Sequence, residues 1–340
     1  MNHNSKSKKK KFIGISLILT ALIIIMIFVS LRTGVISISF QEVIETIFQN
    51  GSKKNELILF EFRLPGIILA ILIGIGLAVS GAILQGITQN ELAEPGIMGI
   101  NTGAGLAIVL YLFLTRAWLP TSSALSTWMM PIAAMLGALF AALLIYILAW
   151  KKGVNPIRLI LVGIGINAGF AAFITIFQLK MDPQDYRQVT VWLSGDIWNA
   201  NWNTVIAFLP WILILIPLVL RKLETLNVLT LGDDLASGLG ANVEKDRRTL
   251  LILAVALAGA SVSAGGAIAF LGLIVPHIAR KIIGPLHQYI IPLSMLIGAL
   301  LIITADIVGK VILAPTEIPI GIVVSMLSAP YFIYLLMKSA

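Results

Sequence analysis

Uncharged apolar runs of about twenty residues recur along this chain, and that repetition leaves few folds open. A hydrocarbon layer about 30 Å thick takes roughly 20 residues of helix to cross. Within it each backbone N–H and C=O has to find a partner inside the protein, so such runs are read as spanning helices. They lie at Phe12–Leu31, Ile67–Gly86, Ile97–Thr115, Trp128–Trp150, Leu159–Leu179, Val205–Leu220, Leu250–Ala264, Ile268–Ile283, Ile290–Ile307 and Ile318–Met337. Of 340 residues 58% are hydrophobic and 12% charged, against about 25% charged in a soluble domain. The expectation is an all-α polytopic membrane protein with about ten transmembrane helices, forming one domain over residues 1–340.

Leu250–Ile283 reads either as one long helix or as two short ones broken at Gly265–Gly266. Charge arbitrates, because Lys and Arg gather on the cytoplasmic side. With two helices and the N-terminus inside, that side receives the basic tail within residues 1–11, Lys151, Lys152, Arg158, the 221–248 loop, Arg280, Lys281 and Lys338. Both termini and the loop are then cytoplasmic in the plasma membrane. Phe12–Leu31 has spanning length and no small-residue cleavage site follows it, which favours a retained span over a signal peptide. The net charge of +8 sits in short loops, as orientation signals do, so nucleic acid is not an expected partner. There is no cysteine, which excludes disulfides and thiolate metal sites.

Between the first two runs, SFQEVIETIFQN (residues 39–50) is amphipathic and reads as an interfacial helix on the outer side. Gly99–Gly103 and Gly165–Gly169 are small-xxx-small pairs that allow close helix approach, for which ordinary packing is the plainer reading. Trp192, Trp198 and Trp202 form an outer aromatic belt, where Asn201 is also available to a partner. A short echo links GAILQG (81–86) with GAIAFLG (266–272), as an inverted repeat around a substrate path would.

Arg221–Thr249 is the one long polar interval inside this apolar chain. Gly232 can cap a helix with Asp233 and Asp234 in its first turn, where carboxylates suit the helix dipole. Leu235, Ala236 and Leu239 then share a face and Gly240 stops the helix. About two turns are not stable alone in water, so this helix is expected to rest against something.

No phosphate-binding loop, nucleophile elbow or HExxH motif occurs, and the histidines are His3, His277 and His287. No catalytic residue, cofactor or metal ligand is expected; a metal crossing here crosses chelated. Asp306 lies deep in an apolar run, and Lys310 four residues on makes an ion pair a stronger reading than a proton relay. Glu317 suits a helix start. His277, with no ligand type near it in sequence, reads as a packing residue.

The run GAILQGITQNELAEPGIMGINTGA resembles a signature of the iron-siderophore and vitamin B12 ABC transporter permeases. LTLGDDLASGLG, GAIAFLGLIVPHIAR, ADIVGK, and EIPIG followed by SAPYF are similar to the same family, in its order and spacing from Glu61 to Lys338. The resemblance implies a homodimer, or a heterodimer with a sister permease, around a central path. A cytoplasmic ATPase pair would bind the ATP and an extracytoplasmic binding protein would deliver a ferric siderophore, with cobalamin or haem as alternatives. It implies an ATPase-coupling motif at Leu231, Gly232, Ala236, Leu239 and Gly240, with Asp233, Asp234 and Ser237 facing the partner. A cytoplasmic gate is implied at Asn90 and Leu92, with Asn155 and Pro156 as a second element. Arg63 and Lys310 would dock the binding protein; for Arg63 an interfacial anchor paired with Glu61 competes. Two departures stand out: Gly66 replaces a second docking arginine, and Glu91 replaces the proline of an Asn-Pro-Leu turn. Lys53, Lys54 or Arg187 could supply the missing contact. The rivals outside this family are a proton-coupled transporter using Asp306 or Glu317, and a membrane scaffold or receptor.

Overall fold

The computed structural model describes residues 2–34, 36, 38–118, 125–151, 153, 155–198 and 200–339; Lys152, assigned above to the inner side, lies outside them. The chain is helical, with no strand among the described residues. In order come α1 (Asn2–Arg32), α2 (Phe40–Ile47), α3 (Lys53–Glu56), a π-helical turn (Leu57–Arg63), α4 (Leu64–Thr88), α5 (Ile100–Trp118), α6 (Leu125–Ala149) and α7 (Pro156–Gln178). Then follow α8 (Pro183–Leu193), α9 (Trp202–Leu220), α10 (Leu223–Leu229), α11 (Asp233–Gly238), α12 (Val243–Gly265), α13 (Leu271–Ile283), α14 (His287–Ile312) and α15 (Ile320–Ser339).

Each expected span has its helix. Among the described residues seven helices are long and apolar enough to cross a membrane, and α5 and α15 carry shorter apolar stretches, Ile100–Leu114 and Ile320–Tyr334. With 13 residues, α13 is only about 20 Å long, short of a full crossing. The break before it is real: α12 ends at Gly265, and Gly266 turns the chain at φ +70°, where an added Cβ would strike the Trp192 carbonyl. Broken backbone inside a bundle survives when neighbours satisfy it. Here the Asn101 side chain on α5 donates to the Ile268 carbonyl (3.1 Å).

The centre is α4, apolar all round and therefore buried all round. Glycine sets its separations: Gly74 meets Gly298 of α14 and Gly81 meets Gly272 of α13, backbone against backbone. The two echoing segments thus touch each other at Gly81 and Gly272, and Gln85 Nε2 donates to the Leu273 carbonyl (2.9 Å). Gly103 of α5 faces Gly137 of α6 in the same way, whereas Gly165 and Gly169 of α7 face open space.

Helix α2 is the amphipathic element expected from residues 39–50. Ser39 and Glu42 form a reciprocal capping box, Val43 is buried, and Phe40 and Ile44 are exposed. Contacts sort the loops into two ends. At one, Gln89 meets Leu229, Gly153 lies near Glu244, and Lys8 lies near Gly284. At the other, Trp202 Nε1 donates to the Phe60 carbonyl (2.9 Å) and Gly321 N to the Gly195 carbonyl (3.0 Å).

Candidate functional site

The polar interval folds into α10 and α11. Gly232, at φ +102°, opens α11, Leu239 N donates to the Leu235 carbonyl (3.0 Å), and Gly240 at φ +85° ends the turn. The helix has 6 residues, shorter than about two turns, and its apolar residues do not act as one face. Ala236 is fully buried, while Leu235 and Leu239 are 62% and 66% exposed. Leu231 is exposed beside them. Thus Ala236 seats α11 on the protein and the leucines point away from it. Asp234 and Ser237 are exposed, but Asp233 turns back to Arg247 at the start of α12 (2.5 Å). That guanidinium is nearly buried, so Asp233 holds α11 to α12 and offers a partner only its free edge.

At the same end, α4 closes on Gln89 in the left-handed conformation, at φ +51°. Asn90 Oδ1 accepts from Leu92 N (2.8 Å), making the sharp turn that Asn favours. Asn155 caps α7 by accepting from Ile157 N (3.0 Å) and Arg158 N (3.2 Å), and Pro156 occupies the first helical position. Both expected gate elements therefore adjoin a helix end, one just past α4 and one at the start of α7. Between Asn90 and Leu92, Glu91 reaches α13: its carboxylate lies 2.9 Å from His277 Nδ1 and 3.1 Å from Arg280 Nη1. Arg280 also donates to Gln85 Oε1 (3.2 Å), and Tyr331 of α15 stands edge-on to the His277 ring at 5.8 Å. His277 thus packs against the Glu91 carboxylate as well as the Tyr331 ring, a contact its sequence neighbours could not signal.

At the opposite end, Arg63 is only 8% exposed. Its guanidinium donates to the Leu31 and Ile36 carbonyls, closing the C-terminus of α1, where a cation suits the helix dipole. Its partners are these carbonyls rather than Glu61. Lys310 Nζ donates to Asp306 Oδ2 (2.6 Å), and Ser30 Oγ of α1 lies 3.4 Å from the same oxygen. The ion-pair reading of Asp306 holds. Gly66 is buried near Ala200, and Lys53, Lys54 and Arg187 are exposed. Asn201 caps α9 by accepting from Thr204 N (3.0 Å).

Asp196 lies in the loop before α9, its Oδ1 accepting from Trp198 N (3.0 Å). Burial pushes its carboxyl up to about 6, the Trp198 N–H opposes this, and the Glu317 and Asp306 charges add to it. A carboxyl that binds its proton more tightly when folded adds stability at low pH and loses it as pH rises through about 6. Asp196→Asn should therefore raise the thermal midpoint in detergent by a few degrees at pH 7.5. That gain should shrink toward zero as pH falls to the ordinary Asp range, and a gain independent of pH would contradict the assignment.

The bundle also leaves one side open. On α7, Gly165 and Gly169 meet nothing within 4 Å, and Leu161, Ile164 and Ile176 are exposed. Thr102 on α5 donates to Asn167 Oδ1 (2.7 Å), so α5 steadies α7 from behind. Among the described residues no three His, Cys, Asp or Glu side chains gather closely enough to hold a metal.

A family model described as the FecCD transport family matches residues 22–338. The chain belongs to this family. It is 55% identical to the iron(3+)-hydroxamate import system permease protein FhuG of Bacillus subtilis (strain 168), over 98% of this chain and 99% of that protein. It is 45% identical to the iron-uptake system permease protein FeuC of the same organism, over 94% and 95% of the two chains. A solved structure described as an inward-facing metal-chelate type ABC transporter superposes with a TM-score of 0.82 at 28% identity, covering 96% of this chain and 99% of that one. As a FecCD member, the chain is a multi-pass permease component of an ABC importer.

Proposed function

We propose that this chain translocates a ferric siderophore across the plasma membrane as one permease of an ATP-driven importer, with both termini in the cytoplasm. The observation that carries the substrate is the near full-length likeness to an iron(3+)-hydroxamate permease. ATP is bound and spent on separate subunits. The energy enters through Leu231, Leu235 and Leu239, apolar side chains held out at the α10–α11 end. Two cytoplasmic ATPase subunits cover them, with Gly232 and Gly240 fixing the bend and Asp234 and Ser237 at the rim.

The open face of α7 takes a second permease, a copy or a sister chain, because small residues let two backbones approach closely. The path runs between the two permeases, and its inner gate is built from Asn90, Leu92, Asn155 and Pro156. At the far end an extracytoplasmic binding protein docks. Arg63 and Lys310 hold that surface in shape, and the exposed Lys53, Lys54 and Arg187 give it the positive charge that orients an acidic partner.

Uptake of labelled ferric hydroxamates, ferric citrate, cobalamin and haem, in cells with and without the chain, tests the proposal. Loss of the chain should abolish energised uptake of a ferric chelate. Loss of only the cobalamin or haem signal would replace the substrate. Uptake that survives removal of the ATPase and collapses with an uncoupler would favour proton coupling through Asp306 or Glu317.

A further inference from the structure

The two halves of the polar interval are attached to the bundle in different ways. Helix α11 rests on α12 through Ala236 and the Asp233–Arg247 pair. Helix α10 is wedged between the ends of α4 and α14. Its Leu226 and Leu229 are buried, and Leu226 fills the space left by Gly86 of α4, where an added Cβ would come within 2.7 Å of it. Gln89 Nε2, one residue past α4, donates to the Leu229 carbonyl (3.0 Å).

Asn227 makes the other attachment. The residue before α14 is Leu286, which has no side chain able to cap the helix. Asn227 supplies the cap from another element: its Oδ1 accepts from His287 N (2.8 Å) and lies 2.8 Å from His287 Nδ1. Its Nδ2 donates to Gln288 Oε1 (2.8 Å). Every polar atom of one side chain is thus matched to the first turn of α14. With 26 residues, α14 spans about 39 Å. It lies along α4 at Gly74 and Gly298, and near its far end carries Asp306 and Lys310.

We propose that Asn227 is the positioning residue that joins the coupling loop to α14, so that a displacement of α10 is passed to the opposite end of the bundle. This rests on reading residues 221–249 as the ATPase-coupling loop. The physical reason is that α10 alone is too short to be rigid, whereas a long packed helix moves as a unit once its end is held. Without Asn227, the His287 N–H loses its acceptor in a largely buried place, and the first turn of α14 is free to part from α10.

The test uses the complete transporter in proteoliposomes, with a labelled ferric hydroxamate as probe and Asn227→Leu compared with Asn227→Asp. Aspartate keeps the acceptor oxygen and caps helices as well as asparagine does. For N227L, ATPase capture should stay near wild type and the thermal midpoint should fall by only a few degrees, as one lost cap does, while chelate moved per ATP hydrolysed falls about tenfold. N227D should stay within about threefold of wild type. A wild-type transport ratio in N227L would overturn the inference, as would N227D failing equally. If N227L does not assemble, Asn227→Ala against Asn227→Asp carries the same contrast. A wild-type assembly that moves no chelate with ATP overturns the coupling reading itself, and the inference with it.

Discussion

Leu235→Asp combined with Leu239→Asp should abolish capture of the ATPase while the chain still folds and inserts. Both side chains are more than half exposed in the isolated permease, so aspartate there meets water and disturbs no internal contact. If these leucines dock as proposed they would become buried, each contributing roughly 2 kcal/mol of transfer free energy. Losing two corresponds to about a thousandfold in affinity, before the cost of burying unpaired carboxylates is added. Co-purification of the ATPase with the variant permease reads the effect, and undiminished capture would refute the assignment. Asp233 is a poorer choice for such a test, because its reversal also sets a cation against nearly buried Arg247. Ala236→Asp is the informative contrast: it buries a charge under α11 and should damage the permease itself.

Gly81→Val should prevent the bundle from assembling. The added Cβ falls on the Gly272 carbonyl, so α4 and α13 cannot keep their present separation. A flexible side chain could swing aside, but the obstacle is backbone. Gln85 and Arg280 hold α13 in place one turn further on. Overpacking of a tight core costs about 1–3 kcal/mol when neighbours relax, and here the relaxation would have to separate two helices, so the expected loss lies above that range. Yield of monodisperse protein in detergent and its thermal midpoint report the damage. Gly14→Ala on α1 is the matched control, since open space surrounds that position and alanine favours helix over glycine by roughly 0.5–1 kcal/mol. Equal behaviour of the two variants would show that the Gly81 approach is not as close as described.

The sites differ in how far they could be read from the chain. Asn90, Leu92, Asn155 and Pro156 were singled out only through the family resemblance, whereas Gly232 with Gly240 was legible because helix caps are written within a few residues. The Asp306–Lys310 pair was legible for the same reason, four residues being one helical turn. Arg63 was not: two carbonyls, of Leu31 and Ile36, take its guanidinium, and backbone acceptors leave no mark on sequence. The contacts of Glu91 with His277 and Arg280, and the cap that Asn227 makes on α14, join positions far apart in the chain. Each partner alone looks like an ordinary polar residue.

The sequence by itself determined that this is a helical membrane protein, where its helices run, that α12 and α13 are separate, and that one short polar interval interrupts them. Those features follow from local hydropathy and, for the α12–α13 break, from how Lys and Arg distribute between the two sides, neither of which needs the packing of the helices. Only the tertiary structure decided that Ala236 faces inward while Leu235 and Leu239 face outward, and that Gly103 is occupied while Gly165 and Gly169 stand open. It also tied the Glu91 turn to α13 and α10 to α14. The reason is geometric: a helix presents residues all round its axis, and which of them meets a neighbour, a lipid or a partner depends on how the other helices are placed.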